Sequence, residues 1–287
     1  MWHQVLEIGL DVANISSNHP EGINLIGYSQ GGLLARGIVQ TFSNVSVSTF
    51  ISLSSPQAGQ YGAGFLHLVF PSLVKESAYE LFYSKVGQHT SVGNYWNDPY
   101  HQKLYESYSV YLPYINNHII SAKTDDFKSN LLKLKRFVLI GGPDDQVITP
   151  WQSSQFGYYD ANENVVEMRN QEIYTKDSIG LKALDKAAHV SVHPSGSDGD
   201  PIALLHELSY PLSHPPRLGG ELFLLQTVLT HKRDELIFRS RQPTAGVFPW
   251  ASVCDYIYCR DRQAGLAVQI MIVDYRRILS QVTPLVL

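Results

Sequence analysis

Ile23-Asn24-Leu25-Ile26-Gly27-Tyr28-Ser29-Gln30-Gly31-Gly32 changes character at Ser29. Before it, Ile23, Leu25 and Ile26 with Tyr28 make a short apolar run of the kind a sheet buries. Beyond it, Leu33, Leu34, Ile38 and Val39 recur at helical spacing. Gly27, Gly31 and Gly32 surround the serine, because a sharp strand-to-helix turn leaves no room for a Cβ on either side. This is a Gly-x-Ser-x-Gly nucleophile elbow in a strand–turn–helix context, and its strained turn lifts the Ser29 Oγ clear of the sheet. The helix behind it aims the Gln30 backbone N–H, and its positive dipole end, at a developing oxyanion. A glycine-softened turn without chemistry fits the same ten residues, so the rest of the chain has to decide.

The 287 residues suit one large or two ordinary domains, and 44% hydrophobic with 17% charged residues allow a substantial core. A net charge of −4 and a pI near 6.2 leave no electrostatic footprint for nucleic acid. No apolar run is long enough to span a bilayer, so stable membrane insertion is not expected. Met1 to Asp11 has no basic n-region, and Glu7 interrupts its only apolar core. It reads as an amphipathic helix with Val5, Leu6, Ile8 and Leu10 on the apolar side, rather than as a secretory signal. Two sequons, Asn14-Ile15-Ser16 and Asn44-Val45-Ser46, matter only in a secreted chain. Cys254 and Cys259 sit far from the elbow and say little about compartment.

After the elbow helix, Val47 to Leu53 alternates as a strand and ends in the turn-rich loop Ser54-Ser55-Pro56-Gln57-Ala58-Gly59. Such loops lie at the carboxyl edge of an open α/β sheet, where ligands bind. From about 61 to 134 no strand pattern persists, and a tyrosine-rich stretch runs through Tyr95, Trp96, Tyr100, Tyr105, Tyr108, Tyr111 and Tyr114. This predicts a helical insertion, either a subdomain with an aromatic core or a cap that also lines an acyl-chain groove. Lys135 to Gly142 is the next clear strand and runs into Pro143-Asp144-Asp145. An acid on the loop after a late strand is where an elbow fold presents its triad carboxylate, although a plain turn uses the same residues. From His189 onward the texture changes, with linker-like stretches at 194–201 and 211–220. Leu222-Phe223-Leu224-Leu225 and Ala267 to Val273 stand as isolated apolar runs in that tail.

Taken together, the elbow, the loop from Ile51 to Gly62 and Asn94-Tyr95-Trp96-Asn97-Asp98-Pro99 resemble the palmitoyl-protein thioesterases. The blocks from Val138 through Asp145, Pro150 through Ser154 and Phe156 through Tyr159 narrow the resemblance to the lysosomal type-2 branch, and the likeness extends from about Trp2 to Ala187. It implies an α/β-hydrolase fold over residues 1–188, with a helical cap at about 61–134 and a divergent tail from 189 to 287. It further implies a lysosomal enzyme that cleaves fatty-acyl thioesters without metal or organic cofactor. Carried over by position, Ser29 is the nucleophile, Asp145 the triad acid and the Gln30 N–H one oxyanion donor.

Two expectations depart from the family pattern. Only 28 residues precede Ser29, too few for the strands that come before the elbow in such folds. The family histidine falls near position 200, where Gly199 and Asp200 stand. His189, His193 and His206 lie nearby without a matching block and read most simply as surface or loop histidines; His193 is the best substitute base, if the segment after it folds back toward Asp145. The sequence therefore supports two readings, a fatty-acyl thioesterase working through an acyl-serine, or an incomplete or mis-spliced relative that lacks the triad histidine and is inactive.

Overall fold

The computed structural model describes residues 1–69, 73–145, 147–194, 221–229, 254–260 and 266–274. In chain order the elements up to the second strand are α1 (Trp2–Ser16), β1 (Ile23–Tyr28), α2 (Gln30–Thr41) and β2 (Val47–Leu53). Five helices follow: α3 (Ala63–Val69), α4 (Ala78–Phe82), α5 (Gln102–Tyr108), α6 (Leu112–Ile115) and α7 (Thr124–Leu131). Then come β3 (Arg136–Gly141), β4 (Tyr158–Tyr159), β5 (Val165–Val166), α8 (Glu172–Thr175), α9 (Leu181–Lys186) and β6 (Val190–Pro194). The remaining strands are β7 (Glu221–Leu229), β8 (Cys254–Arg260) and β9 (Leu266–Asp274).

Seven strands form one sheet in the order β6-β3-β2-β1-β7-β9-β8. The pairs β6–β3, β3–β2, β2–β1 and β1–β7 are parallel, while β9 is antiparallel to both its neighbours. The mostly parallel sheet with packed helices makes the fold α/β. It also explains the texture of β1: a strand with neighbours on both sides and cover on both faces is apolar nearly throughout. Leu222–Leu225 and Ala267–Val273, isolated in the sequence, lie in β7 and β9. Their place could not be read locally because β7 pairs with β1, far earlier in the chain. Val190 to Pro194 likewise extends the sheet past residue 188.

Side chains alternate across the sheet as period two requires. Leu25, Phe50, Phe137 and Leu139 join the larger core with residues of α1, α2 and α7. On that face Phe50 and Phe137 stack with ring centroids 5.0 Å apart. Ile26, Leu53, Val138 and Ile140 form a second, smaller cluster together with Tyr28 and Ile51. Helix α1 buries Val5, Ile8 and Val12, the i, i+3, i+7 stripe of one face. Leu6 and Leu10, which the sequence put on that side, are 51% and 66% exposed. At about 100° per residue they fall outside the stripe that Val5 and Ile8 define.

Between β2 and β3 the described residues contain helices and turns but no strand. The aromatic residues of this segment divide, with Tyr95, Trp96, Tyr105 and Tyr111 buried and Tyr100 and Tyr108 exposed. The insertion is anchored to the sheet layer from inside. Tyr111 donates its hydroxyl to the Leu33 carbonyl of α2 at 2.8 Å, where Gly37 leaves room for the ring.

Candidate active site

Ser29 is the N-cap of α2 and adopts φ 52°, ψ −130°, a left-handed conformation that few non-glycine residues take. Holding it there costs about 1–3 kcal/mol, which the surrounding packing has to supply. The packing is tight at the two glycines that flank the turn. A Cβ on Gly27 would lie 2.5 Å from Gly32 Cα and 2.8 Å from the Gly31 carbonyl oxygen. A Cβ on Gly32 would lie 2.5 Å from Ser55 Oγ. The Ser29 N–H donates to the Leu53 carbonyl at 2.9 Å, fixing the elbow to the end of β2. The first amides of α2 have no acceptor within the helix, which leaves the Gln30 N–H at the positive end of the dipole. The Gln30 side chain is 2% exposed, and neither of its amide atoms has a partner among the described residues.

Strand register brings the acid to the same edge. Tyr28 pairs with Leu53 and Leu53 with Ile140, so β1, β2 and β3 end side by side and the loop carrying Asp145 leaves from the strand end two places from Ser29. Asp145 Oδ1 accepts the N–H groups of Val147 and Ile148, both at 2.9 Å. Its Oδ2 is closed off from solvent and has no partner among the described residues. The carboxylate reaches the elbow electrostatically: the Tyr28 phenol is held above its ordinary pKa by burial first and by the Asp145 charge second.

The histidines sort by their place on β6. The His189 carbonyl accepts from Phe137 at the start of the strand, roughly 13 Å from its far end at 3.3 Å per residue. His193 pairs with Ile140, next to the end of β3, and its carbonyl accepts from Gln155 Nε2 at 3.3 Å. It thus lies in one cross-strand row with Tyr28, Leu53 and Ile140, separated from β1 by three interstrand spacings of about 4.8 Å. The strand does not bring His193 to Ser29, and the linker-like stretch 194–201 lies, apart from Pro194, outside the described residues. His206 and positions 199 and 200 lie outside the described residues.

Residues that sequence reading passed over surround these groups. The Gln57 amide donates to Ser52 Oγ at 2.9 Å and to Ser55 Oγ at 3.2 Å, which seats Ser55 against Gly32. Arg36 is fully buried and has no carboxylate partner among the described residues. Its guanidinium donates to the Gln57 carbonyl at 3.0 Å, to Asn116 Oδ1 at 2.8 Å and to the Ile115 carbonyl at 3.3 Å, and lies 5.2 Å from the centroid of the Phe156 ring. Burial lowers its pKa to about 10, which leaves it a cation at neutral pH. It ties the elbow helix to the loop after β2, to the insertion and to the segment after β3. Only the quoted block containing Gln57 hinted at this, since Arg36 reads in sequence as an ordinary helix-surface cation.

A site of this construction has relatives. The family model described as palmitoyl protein thioesterase matches residues 1–196. The lysosomal thioesterase PPT2 homolog of Drosophila melanogaster is 53% identical over 191 residues, covering 67% of this chain and 66% of that protein. Lysosomal thioesterase PPT2 of Mus musculus is 48% identical over 185 residues, covering 64% of this chain and 61% of the mouse protein. Palmitoyl-protein thioesterase 3 of Dictyostelium discoideum is 36% identical over 168 residues, 58% of this chain and 57% of that one. The matches thus span less than two thirds of these relatives' own length.

Proposed function

Because the chain belongs to the palmitoyl protein thioesterase family, we propose that it hydrolyses fatty-acyl thioesters through an acyl-serine, with its most similar relatives pointing to a lysosomal setting. The observation that carries the reading is the shared strand edge: a strained Ser29 elbow and an Asp145 carboxylate with two N–H groups on one oxygen and no partner for the other among the described residues. Ser29 Oγ attacks the thioester carbonyl as an imidazole takes its proton, and the oxyanion forms toward the Gln30 N–H. Collapse breaks the C–S bond, and the imidazolium returns the proton to the departing thiolate. Water, deprotonated by the same imidazole, then attacks the acyl-serine and releases the fatty acid. Asp145 Oδ2 is the oxygen left to hold that imidazole, and the scheme calls for no metal or organic cofactor.

Turnover of palmitoyl-CoA by the purified chain tests the reading. Ser29→Ala is expected to lower kcat by about 10³-fold or more. Single alanine replacements of His189, His193 and His206 then locate the base. A base has to stand within about 3 Å of the serine proton it takes, so His193→Ala is expected to leave turnover within about twofold. Background turnover that Ser29→Ala leaves unchanged would instead favour a relative that binds acyl chains without cleaving them.

A further inference from the structure

Gln60 is fully buried at the end of the loop that follows β2, and its backbone is bonded to the insertion. Its N–H donates to the Tyr95 carbonyl at 3.0 Å and its carbonyl accepts from Asn97 N at 3.0 Å. Its side chain reaches the other way. Nε2 donates to the Val147 carbonyl at 3.1 Å, and Oε1 accepts from Thr149 N at 3.2 Å. A primary amide that gives one bond and takes one from alternate residues of a loop imitates a strand partner. It donates and accepts through two separate atoms, whereas an ammonium can only donate and a hydroxyl has to do both through one oxygen.

The clamped loop is the one that aims the acid. Val147 supplies one of the two N–H groups on Asp145 Oδ1, and Ile148, between the two clamped residues, supplies the other. The backbone bond from Tyr61 N to the Thr149 carbonyl, at 2.9 Å, holds the same loop without touching Val147. Breaking the Gln60 clamp therefore frees the Val147 peptide, whose far side is bonded to the carboxylate. It also leaves a carbonyl and an N–H without partners in a water-poor place.

We propose that Gln60 is a positioning residue for Asp145: it holds the 147–149 loop so that Oδ1 is saturated and Oδ2 alone is presented. The inference rests on the reading of Asp145 as the acid of a serine hydrolase. It also assigns a functional role to the loop–insertion junction, through which the insertion serves the catalytic constellation.

A double-mutant cycle with palmitoyl-CoA separates positioning from general stability. Gln60→Leu is expected to lower kcat by about 10- to 100-fold with KM within about twofold, because a misplaced group costs rate rather than binding. In an Asp145→Asn background the same change is expected to cost about twofold or less, since the group being positioned is already disabled. Equal losses in both backgrounds would overturn the proposal. Amide hydrogen exchange read by NMR judges the clamp without turnover. In the unsubstituted chain the Thr149 amide is expected to exchange slowly, and in Gln60→Leu faster exchange should be confined to Val147, Ile148 and Thr149. Rapid exchange at Thr149 in the unsubstituted chain, or unchanged exchange in Gln60→Leu, would refute the clamp. Should Gln60→Leu fail to fold, the unsubstituted measurement still decides. A chain without Ser29-dependent turnover would sink the thioesterase reading and leave the exchange result to judge Gln60 alone.

Discussion

Ser29 and Asp145 leave the same sheet edge but are held there by different forces. The serine is fixed by contact: a Cβ added at Gly27 or Gly32 would come within 2.5–2.8 Å of its neighbours, which leaves the turn one arrangement. The carboxylate is fixed by hydrogen bonds from its own loop, and that loop borrows its shape from Gln60 in the insertion. Contact of this kind tolerates no added atom and needs no distant partner. A borrowed hydrogen bond tolerates small changes of volume but fails when a residue far away in the chain is altered. The elbow is thus a local device, and the acid is a product of the whole tertiary structure.

The contrast can be broken most sharply at Gly27. An added methyl would meet backbone atoms of Gly31 and Gly32, which cannot rotate away. Gly27→Ala is therefore expected to cost about 3 kcal/mol or more in urea unfolding and to abolish labelling of Ser29 by a fluorophosphonate probe. Arg36 comes next, because it joins the elbow helix to the borrowed structure. Arg36→Met leaves the Gln57 carbonyl and Asn116 Oδ1 without this donor, while the Ile115 carbonyl keeps the Gln40 amide at 2.8 Å, and is expected to cost about 2–3 kcal/mol in the same measurement. A loss under about 0.5 kcal/mol would show that this buried cation is replaceable by packing. The smallest effect belongs to Lys75, paired with Glu163 at 2.8 Å with both side chains part-exposed. Lys75→Met is expected to change stability by no more than about 1 kcal/mol and to leave Ser29 labelling intact. A larger effect would mean that the insertion is held to the β4–β5 turn far more firmly than such a pair allows.

The same contrast explains what could be read from sequence. The strand, turn and helix around Ser29 were legible because steric demands act on neighbours, and glycines at 27, 31 and 32 record them directly. Strand β2 was legible by its alternation and β3 by its apolar run, while the α/β class came from the elbow and the resemblance. The place of Asp145 came from chain order and resemblance, whereas the source of its orientation did not. A glutamine in a loop looks alike whether it faces water or clamps a backbone 87 residues away. Helix α1 was found but rotated, because Leu6 and Leu10 are apolar without being inward. β7 and β9 were illegible as sheet members for a further reason: an apolar run does not name its partner, and β7, which ties both to the rest of the sheet, pairs with the remote β1.

That remoteness sets a timetable for the ribosome. β2 follows β1 within a few dozen residues, but Gln226, the register partner of Tyr28, emerges roughly two hundred residues after it. At about 5–20 residues per second, the far side of β1 waits some 10–40 s on the nascent chain with its amides and carbonyls unclaimed. β6 closes the opposite flank first, pairing with β3 through Val190 to Pro194. The sheet is therefore completed from one side to the other, and the strand that ends at Ser29 is the last of β1, β2 and β3 to gain its second neighbour. During that interval an unpaired apolar edge is open to any other extended chain, which makes translation speed across residues 29–229 and chaperone occupancy of β1 determinants of yield.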